Sequence, residues 1–250
     1  MPLDLTNVDR MTVEAVAHFW AARRSARQRQ PSRGLPDAGT RGDVTDGKAM
    51  DGFARLLQAL AVANGLPASS VHSRTEPDGQ RHTTLPGHYR PVKDWDVVVL
   101  HAGHLVTAVE FKSQVGPSFG NNYNNRCEEA IGMGEDLRVA IREGHFGGGP
   151  RPFVGYLLLL EDTARSTAPF AVASRHFATD PVFSGLSYAA RYDLLCQRLV
   201  PEGLYDASAL LLASAPSDET GGTCRGWSAA TAMRPFVAAF AAHVSAATAL

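Results

Sequence analysis

The sequence predicts an α/β protein in which a central mixed β-sheet is flanked by helices. Three observations carry this. Two valine-rich runs, Lys93–Leu100 and His104–Lys112, sit on either side of the turn tripeptide His101-Ala102-Gly103 and read as an antiparallel pair. The run Phe153–Leu160 is apolar throughout, the composition of a strand covered on both faces. Segments with helical apolar spacing lie before, between and after these strands.

The elements follow in order. Val8, Met11, Ala15, Phe19 and Ala22 recur on one stripe, so residues 7–29 read as a helix, and Thr6 with Asp9 has the form of a capping box. The far end of this helix is basic, with Arg23, Arg24, Arg27, Arg29 and Arg33. Pro31–Gly47 is rich in Gly, Pro and Asp and reads as a loop. A second helix is expected over 48–64 with Met50, Phe53, Leu57 and Leu60 inward, ended by Gly65 and Pro67. Residues 66–91 read as mostly irregular, punctuated by Pro77, Pro86 and Pro91.

After the strand pair, Tyr123, Cys127, Ala130, Gly134, Leu137 and Ile141 predict a helix over 122–143, broken by Gly144–Pro152. Tyr188, Tyr192, Leu195 and Leu199 mark a helix over 186–200. The alanine-rich stretch 228–250 reads as helical, with Pro235 tolerated in the first turn. No repeat or composition break divides the chain. Residues 1–250 are therefore expected as one domain: a core over about 48–205, an N-terminal helix and basic loop over 1–47, and a C-terminal helical extension over 206–250.

The formal net charge is −1, which excludes a uniformly basic nucleic-acid binder; any such surface must be local. The lysines are only Lys48, Lys93 and Lys112. An arginine excess suits bidentate contact with phosphate and guanine, and a GC-rich genome produces the same bias. Cys127, Cys196 and Cys224 are far apart with no CxxC pair, so neither a zinc ribbon nor a disulfide framework is expected. That fits a reducing cytosol. The start, MPLDLTNVDRM, lacks the charge and apolar run of a signal peptide, and Tyr156–Leu160 is too short to span a bilayer. A cytoplasmic protein is expected.

The chemistry is concentrated in Asp94-Trp95-Asp96 and Val109-Glu110-Phe111-Lys112. Side chains alternate along a strand, so Glu110 and Lys112 share a face. A loop of three residues, 101–103, sets Asp96 opposite Ala108 and diagonal to Glu110, on the same face. A loop of two would send Asp96 to the other face. Gly103 at the left-handed position favours the longer loop. Two carboxylates on one face repel each other unless a cation joins them. Hard oxygen ligands with solvent access suit Mg²⁺, the ion that phosphodiester hydrolysis uses to neutralise phosphate and lower the pKa of a bound water. Lys112 is then placed to orient that water or to stabilise transition-state charge, and the sequence leaves both open. The same spacing also occurs in ordinary solvated strand pairs. The valine flanks argue against that, because ionised groups on buried strands need partners.

The stretch Gly116–Arg126 makes a poor core and a poor helix interior. Its Ser118, Asn121, Asn122, Asn124, Asn125 and Arg126 suit a reader of bases and phosphates at a helix start. The other account is an Asn-rich cap with local turn bonds. Glu128 and Glu129 read as a solvated face, although either suits a hydrogen bond from cytosine. His101 and His104 have zinc-like spacing but no further ligand nearby, and read as turn residues. Gly147-Gly148-Gly149 follows no strand in the order a nucleotide-binding loop needs.

Helix, strand with Asp96, strand with Glu110-x-Lys112, helix, strand is an order that resembles the PD-(D/E)xK nuclease core. The text is similar to XhoI-like type II restriction endonucleases in longer strings. These are Met50-Asp51-Gly52-Phe53, Leu85-Pro86-Gly87 with Tyr89-Arg90-Pro91 and Trp95-Asp96, and Gly116–Arg126 followed by Glu128-Glu129-Ala130-Ile131-Gly132. The similarity is continuous over about 48–145 and weaker to about 205, with departures at Val92 and Gln114.

The resemblance implies that Asp96 and Glu110 bind Mg²⁺ and that Lys112 is the catalytic lysine. It implies a homodimer cutting both strands of double-stranded DNA at the palindrome CTCGAG, leaving 5′-phosphates, with a cognate DNA methyltransferase as functional partner. Two-fold protein symmetry suits a palindrome. Asp51, Arg90 and Lys93, in or beside these strings, are candidate accessory residues; Asp51 is either a third carboxylate near the metal or a group serving its own helix. A non-specific repair nuclease on the same core, or a DNA-binding module without catalysis, stands as the alternative.

Overall fold

The structure, a computed structural model, describes residues 2–29, 47–74, 80–216 and 222–250. Apart from Gly47, the loop expected over Pro31–Gly47 lies outside the described residues, as do Arg33 and Pro77. The described strands are β1 (Val71–Ser73), β2 (Thr84–Pro86), β3 (Val92–Asp94), β4 (Val97–His101), β5 (His104–Gln114), β6 (Phe153–Glu161), β7 (Ala207–Ala213) and β8 (Cys224–Gly226). The helices are α1 (Val8–Arg29), α2 (Asp51–Ala63), α3 (Phe119–Arg142), the short α4 (Ala164–Thr167), α5 (Tyr188–Leu199) and α6 (Met233–Ala247).

Six strands form a mixed sheet in the order β1-β4-β5-β6-β7-β8, and β2 and β3 form a separate ribbon. β5, β6 and β7 are parallel to one another, while β1, β4 and β8 join antiparallel. Parallel neighbours need long crossovers. Here α3 connects β5 to β6, and the segment holding α4 and α5 connects β6 to β7. The alternation of side chains then sorts the core. Val97, Val99, Val109, Phe111, Leu157 and Leu159 pack with α1, α2 and α6 on one face. Val98, Ala108, Tyr156, Leu158, Leu160 and Leu212 pack with α3 and α5 on the other. Glu110 and Lys112, of even parity on β5, therefore belong to the α3 side.

Some elements differ from expectation. The run Lys93–Leu100 is two strands, because the backbone changes partner at Trp95. Trp95 N–H bonds to Thr83 O (2.9 Å), whereas the next amide, Asp96 N–H, bonds to Val109 O (3.1 Å). β1 and β2 lie where the sequence reads as irregular; each is three residues long and shows no alternation to detect. The extension expected as helical over 206–250 opens with β7, which extends the central sheet beside β6, and continues to β8 before α6. Its run Ala-Leu-Leu-Leu-Ala favours helix locally, and burial against β6 overrides that preference.

The string around Met50 has a packing explanation. A Cβ on Gly52 would lie 2.7 Å from Ala15 Cα, so only glycine lets α2 approach α1 so closely. Gln114, one of the departures, is buried; its Nε2 donates to Phe119 O (3.0 Å) and its Oε1 accepts from Tyr192 Oη. The other departure, Val92, is exposed on β3. Among the described residues no helix is long and apolar enough to cross a membrane.

Candidate active site

β4 and β5 pair Val97 with Val109, Val98 with Ala108 and Val99 with Thr107. The register then shifts at a bulge between Val99 and Leu100, and Leu100 and His101 pair with Leu105 and His104. The loop is thus Ala102-Gly103, with φ of 48° and 79°, and not the tripeptide expected from the sequence. A loop of two would by itself send Asp96 to the far face. The bulge inserts one more residue and restores the parity. Continued past Val97, the register brings Asp96 opposite Glu110 rather than Ala108.

Asp96 sits at the point where the chain leaves the ribbon for the sheet. Its Oδ2 accepts the Phe111 N–H (2.6 Å), and its Oδ1 lies 3.2 Å from Arg74 Nε. Arg74 also donates to the carbonyls of Asp94 (2.8 Å) and Trp95 (3.3 Å), which spreads it across the strand junction. Burial, with the Glu110 charge adding to it, pushes the Asp96 carboxyl up to about 6, against Arg74, the Phe111 amide and Lys112.

Glu110 is fully buried. Lys93 Nζ bonds its Oε2 and Lys112 Nζ its Oε1, each at 2.5 Å. Burial alone would raise the carboxyl, but the two ammonium groups outweigh it and hold Glu110 below the usual carboxylate range. Such compensation is needed, since a buried carboxylate costs several kcal/mol when left unpaired. Lys93 comes from β3 in the ribbon and lies over the Trp95 ring, 4.3 Å from its centroid. Its own pKa is lowered, mainly by burial, with Glu110 opposing. Lys112 also reaches Glu129 Oε2 on α3 (3.7 Å), which in turn pairs with Arg126 Nη1.

The predicted DNA-binding residues divide. Asn121, Asn124 and Asn125 are exposed on one stripe of α3 with Glu128. Asn122 is half-buried, and Ser118 is the exposed N-cap, its side chain making no cap bond. Arg126 is not an exposed reader: it is turned into the site against Glu129, with its Nε buried. Glu129 keeps the solvent exposure expected for it, its side chain 42% accessible, and in addition joins the charge network.

The accessory candidates also separate. Arg90 Nε donates to Asp136 Oδ2 (2.6 Å), and Asp136 Oδ1 accepts the amides of His88 (2.8 Å) and Tyr89 (2.7 Å). The string Pro86–Pro91 is therefore a turn clamped onto α3. A Cβ on Gly87 would fall 2.6 Å from Asp136 Oδ2. Asp51 opens α2. Among the described residues no three His, Cys, Asp or Glu side chains gather as a metal site, so Asp51 does not complete such a cluster with Asp96 and Glu110. Two carboxylates on one face, one with its pKa raised by burial and then by the other's charge, still form a hard oxygen pair whose chemistry fits a divalent cation. Arg74 was not legible as a site residue, because it follows a three-residue edge strand with no pattern of its own.

Residues 29–224 match the family model described as restriction endonuclease XhoI. The chain belongs to the XhoI restriction endonuclease family. It is 46% identical over 203 residues to the type II restriction enzyme XhoI of Xanthomonas vasicola, covering 81% of this chain and 79% of that protein. It is 45% identical over 196 residues to AbrI of Azospirillum brasilense, covering 76% and 86%. It is 44% identical over 191 residues to BstVI of Geobacillus stearothermophilus, covering 74% and 81%. No solved structure matches the chain. The XhoI-family match takes in β1 to β7, the charge network and the Asn stripe, and extends past the similarity read from the sequence at both ends. Most of α1 and all of α6 lie outside it.

Proposed function

We propose that this chain is a type II restriction endonuclease that hydrolyses both strands of double-stranded DNA at the palindrome CTCGAG, with Mg²⁺, leaving 5′-phosphates. The observation that carries the chemistry is the Asp96 carboxylate fastened to the Phe111 N–H, next along β5 from Glu110, with Lys112 on Glu110. The relatives' names as type II restriction enzymes support site-specific cutting.

Asp96 and Glu110 would hold the cation, which when bound supplies charge neutralisation at the phosphate and an acidified water. Asp96 must be ionised to serve, and Arg74 and the Phe111 amide fix its orientation. Lys112, which bonds Glu110 Oε1, would supply a fixed positive charge beside the reacting phosphate. Glu129 and Arg126 keep Lys112 on that side of the sheet. The start of α3 presents backbone amides to DNA phosphate, and Asn121, Asn124 and Asn125 face outward to meet base edges.

The working form is a homodimer, because one active site per subunit matched to a two-fold site cuts both strands. The compartment is the cytoplasm, in keeping with three free cysteines, and a host methyltransferase that protects the same sequence is the functional partner.

Plasmids with and without one CTCGAG site, digested in Mg²⁺ and in EDTA, test this. Discrete cutting confined to that site and lost in EDTA is the expected result. Discrete cutting elsewhere would keep the chemistry and discard the sequence. Degradation without discrete products would point to a non-specific nuclease. No cutting by folded protein would leave a DNA-binding module.

A further inference from the structure

Glu110 is neutralised twice, and the second cation lies outside the E-x-K strand. The two lysines are not equivalent. Lys112 is 19% exposed on its side chain and shares its charge with Glu129. Lys93 is 10% exposed, reaches in from the β2–β3 ribbon, and is held between the Trp95 ring, the Asp94 carbonyl (3.0 Å) and Glu110 Oε2. Trp95 is 1% exposed and cannot swing aside without opening the core. The cation on Asp96 is different again, since Arg74 is 40% exposed and has solvent to retreat into.

We infer that Lys93 is a resident counter-cation for Glu110. It positions Oε2, keeps the cation-free site folded, and weakens divalent-cation binding until DNA phosphate adds negative charge. This rests on Asp96 and Glu110 being the cation's ligands. With a divalent ion bound, Lys112, the more exposed lysine, would be the one to give way at Glu110, and the anchored Lys93 would stay. Its charge then opposes the incoming ion at close range, where Coulomb interactions are poorly screened. In the protein without DNA the site carries two carboxylates already matched by Lys93, Lys112 and Arg74. The scissile phosphate supplies the charge that tips the balance, so loading of the cation follows DNA binding. Lys93 is a positioning residue in this scheme and does not touch the reacting atoms.

The test is Mn²⁺ titration of DNA-free protein followed by electron paramagnetic resonance of the free ion, with thermal melting alongside. Lys93→Met keeps the stem on Trp95 and removes the charge. Lys93→Gln keeps a donor, and Lys93→Arg keeps the charge. Both neutral variants are expected to bind Mn²⁺ at least ten-fold more tightly than wild type and to melt lower without it, while Lys93→Arg stays near wild type. A neutral variant that is unfolded alone but regains a cooperative melt in Mn²⁺ gives the same answer. Neutral variants that melt lower yet bind Mn²⁺ within two-fold of wild type, or more weakly, would reduce Lys93 to a structural residue. Failure to fold even with Mn²⁺ would overturn the inference as well. Asp96→Asn added to Lys93→Met separates the two layers: if the double variant binds Mn²⁺ as tightly as Lys93→Met does, or Lys93→Met binds none, the cation site itself is misplaced and both ideas fall.

Discussion

The Phe111 amide donates to Asp96 Oδ2 over 2.6 Å, so the first carboxylate is fastened to the strand that carries the second. Asp96 and Glu110 are thereby held side by side by backbone, against the repulsion of their charges. The arrangement is electrostatically expensive for Asp96, which faces a fully buried carboxylate, and several predictions come from that tension and from the clamps around it.

Asp96→Asn is expected to stabilise the protein without metal at neutral pH. A carboxyl raised from 3.8 to about 6 is penalised in its ionised form by about 3 kcal/mol, and the amide removes much of that while keeping an acceptor for Phe111. The folded state binds this proton more tightly than the unfolded state. Its contribution to stability therefore falls as pH rises from about 4 to about 6. The advantage of the variant should be largest above pH 7 and vanish towards pH 4. Chemical denaturation of both proteins across that range checks this; equal stability at pH 7.5 would contradict it. Such a gain is the usual signature of a site strained for activity.

Asp136 illustrates the opposite sign. Burial acts to raise its carboxyl, but Arg90 and the amides of Tyr89 and His88 outweigh that and hold it low. Its contribution to stability is present above the ordinary carboxylate range and lost as the pH falls through its lowered pKa. Asp136→Ala should cost about 2–4 kcal/mol at pH 7 by leaving amides and a guanidinium without their partner. Gly87→Ala should damage the same turn by steric contact, and the double variant should cost much less than the sum. Urea titrations of the three variants measure it, and additivity would argue against a shared clamp.

The Asn stripe should affect recognition and leave stability alone. Asn121, Asn124 and Asn125 are exposed, so alanine at each should change stability by no more than about 0.5 kcal/mol. Loss of a base contact should weaken binding to CTCGAG by about 1–3 kcal/mol per residue, with little change on unrelated duplex. Gel-shift competition in Ca²⁺ separates the two. Parallel losses on both DNAs would mean phosphate contact only.

Much of this site was legible in the sequence, for reasons that can be named. Glu110 and Lys112 share a face through strand alternation alone, which needs no knowledge of partners. Asp96 joined them by a different route from the one its loop suggested, because the bulge between Val99 and Leu100 leaves no mark in composition. Lys93 looked like the start of a central strand, but the change of backbone partner at Trp95 puts it in the ribbon, from which it returns to Glu110. The link from Arg126 through Glu129 to Lys112 emerges only once α3 is laid across β5, because helical spacing alone names no partner strand. β7 was missed because its alanines and leucines favour helix, and only neighbouring β6 makes them a strand.

The most direct test of the central claim is single-turnover cleavage of one duplex carrying CTCGAG by wild type, Asp96→Asn and Glu110→Gln, with binding measured on the same duplex in Ca²⁺. The pairing of these carboxylates as the cation's ligands predicts that both variants still bind the duplex and cut it at least 10²-fold more slowly, the scale of losing one preorganised electrostatic group. Cleavage by either variant at the wild-type rate would place the chemistry elsewhere in the molecule.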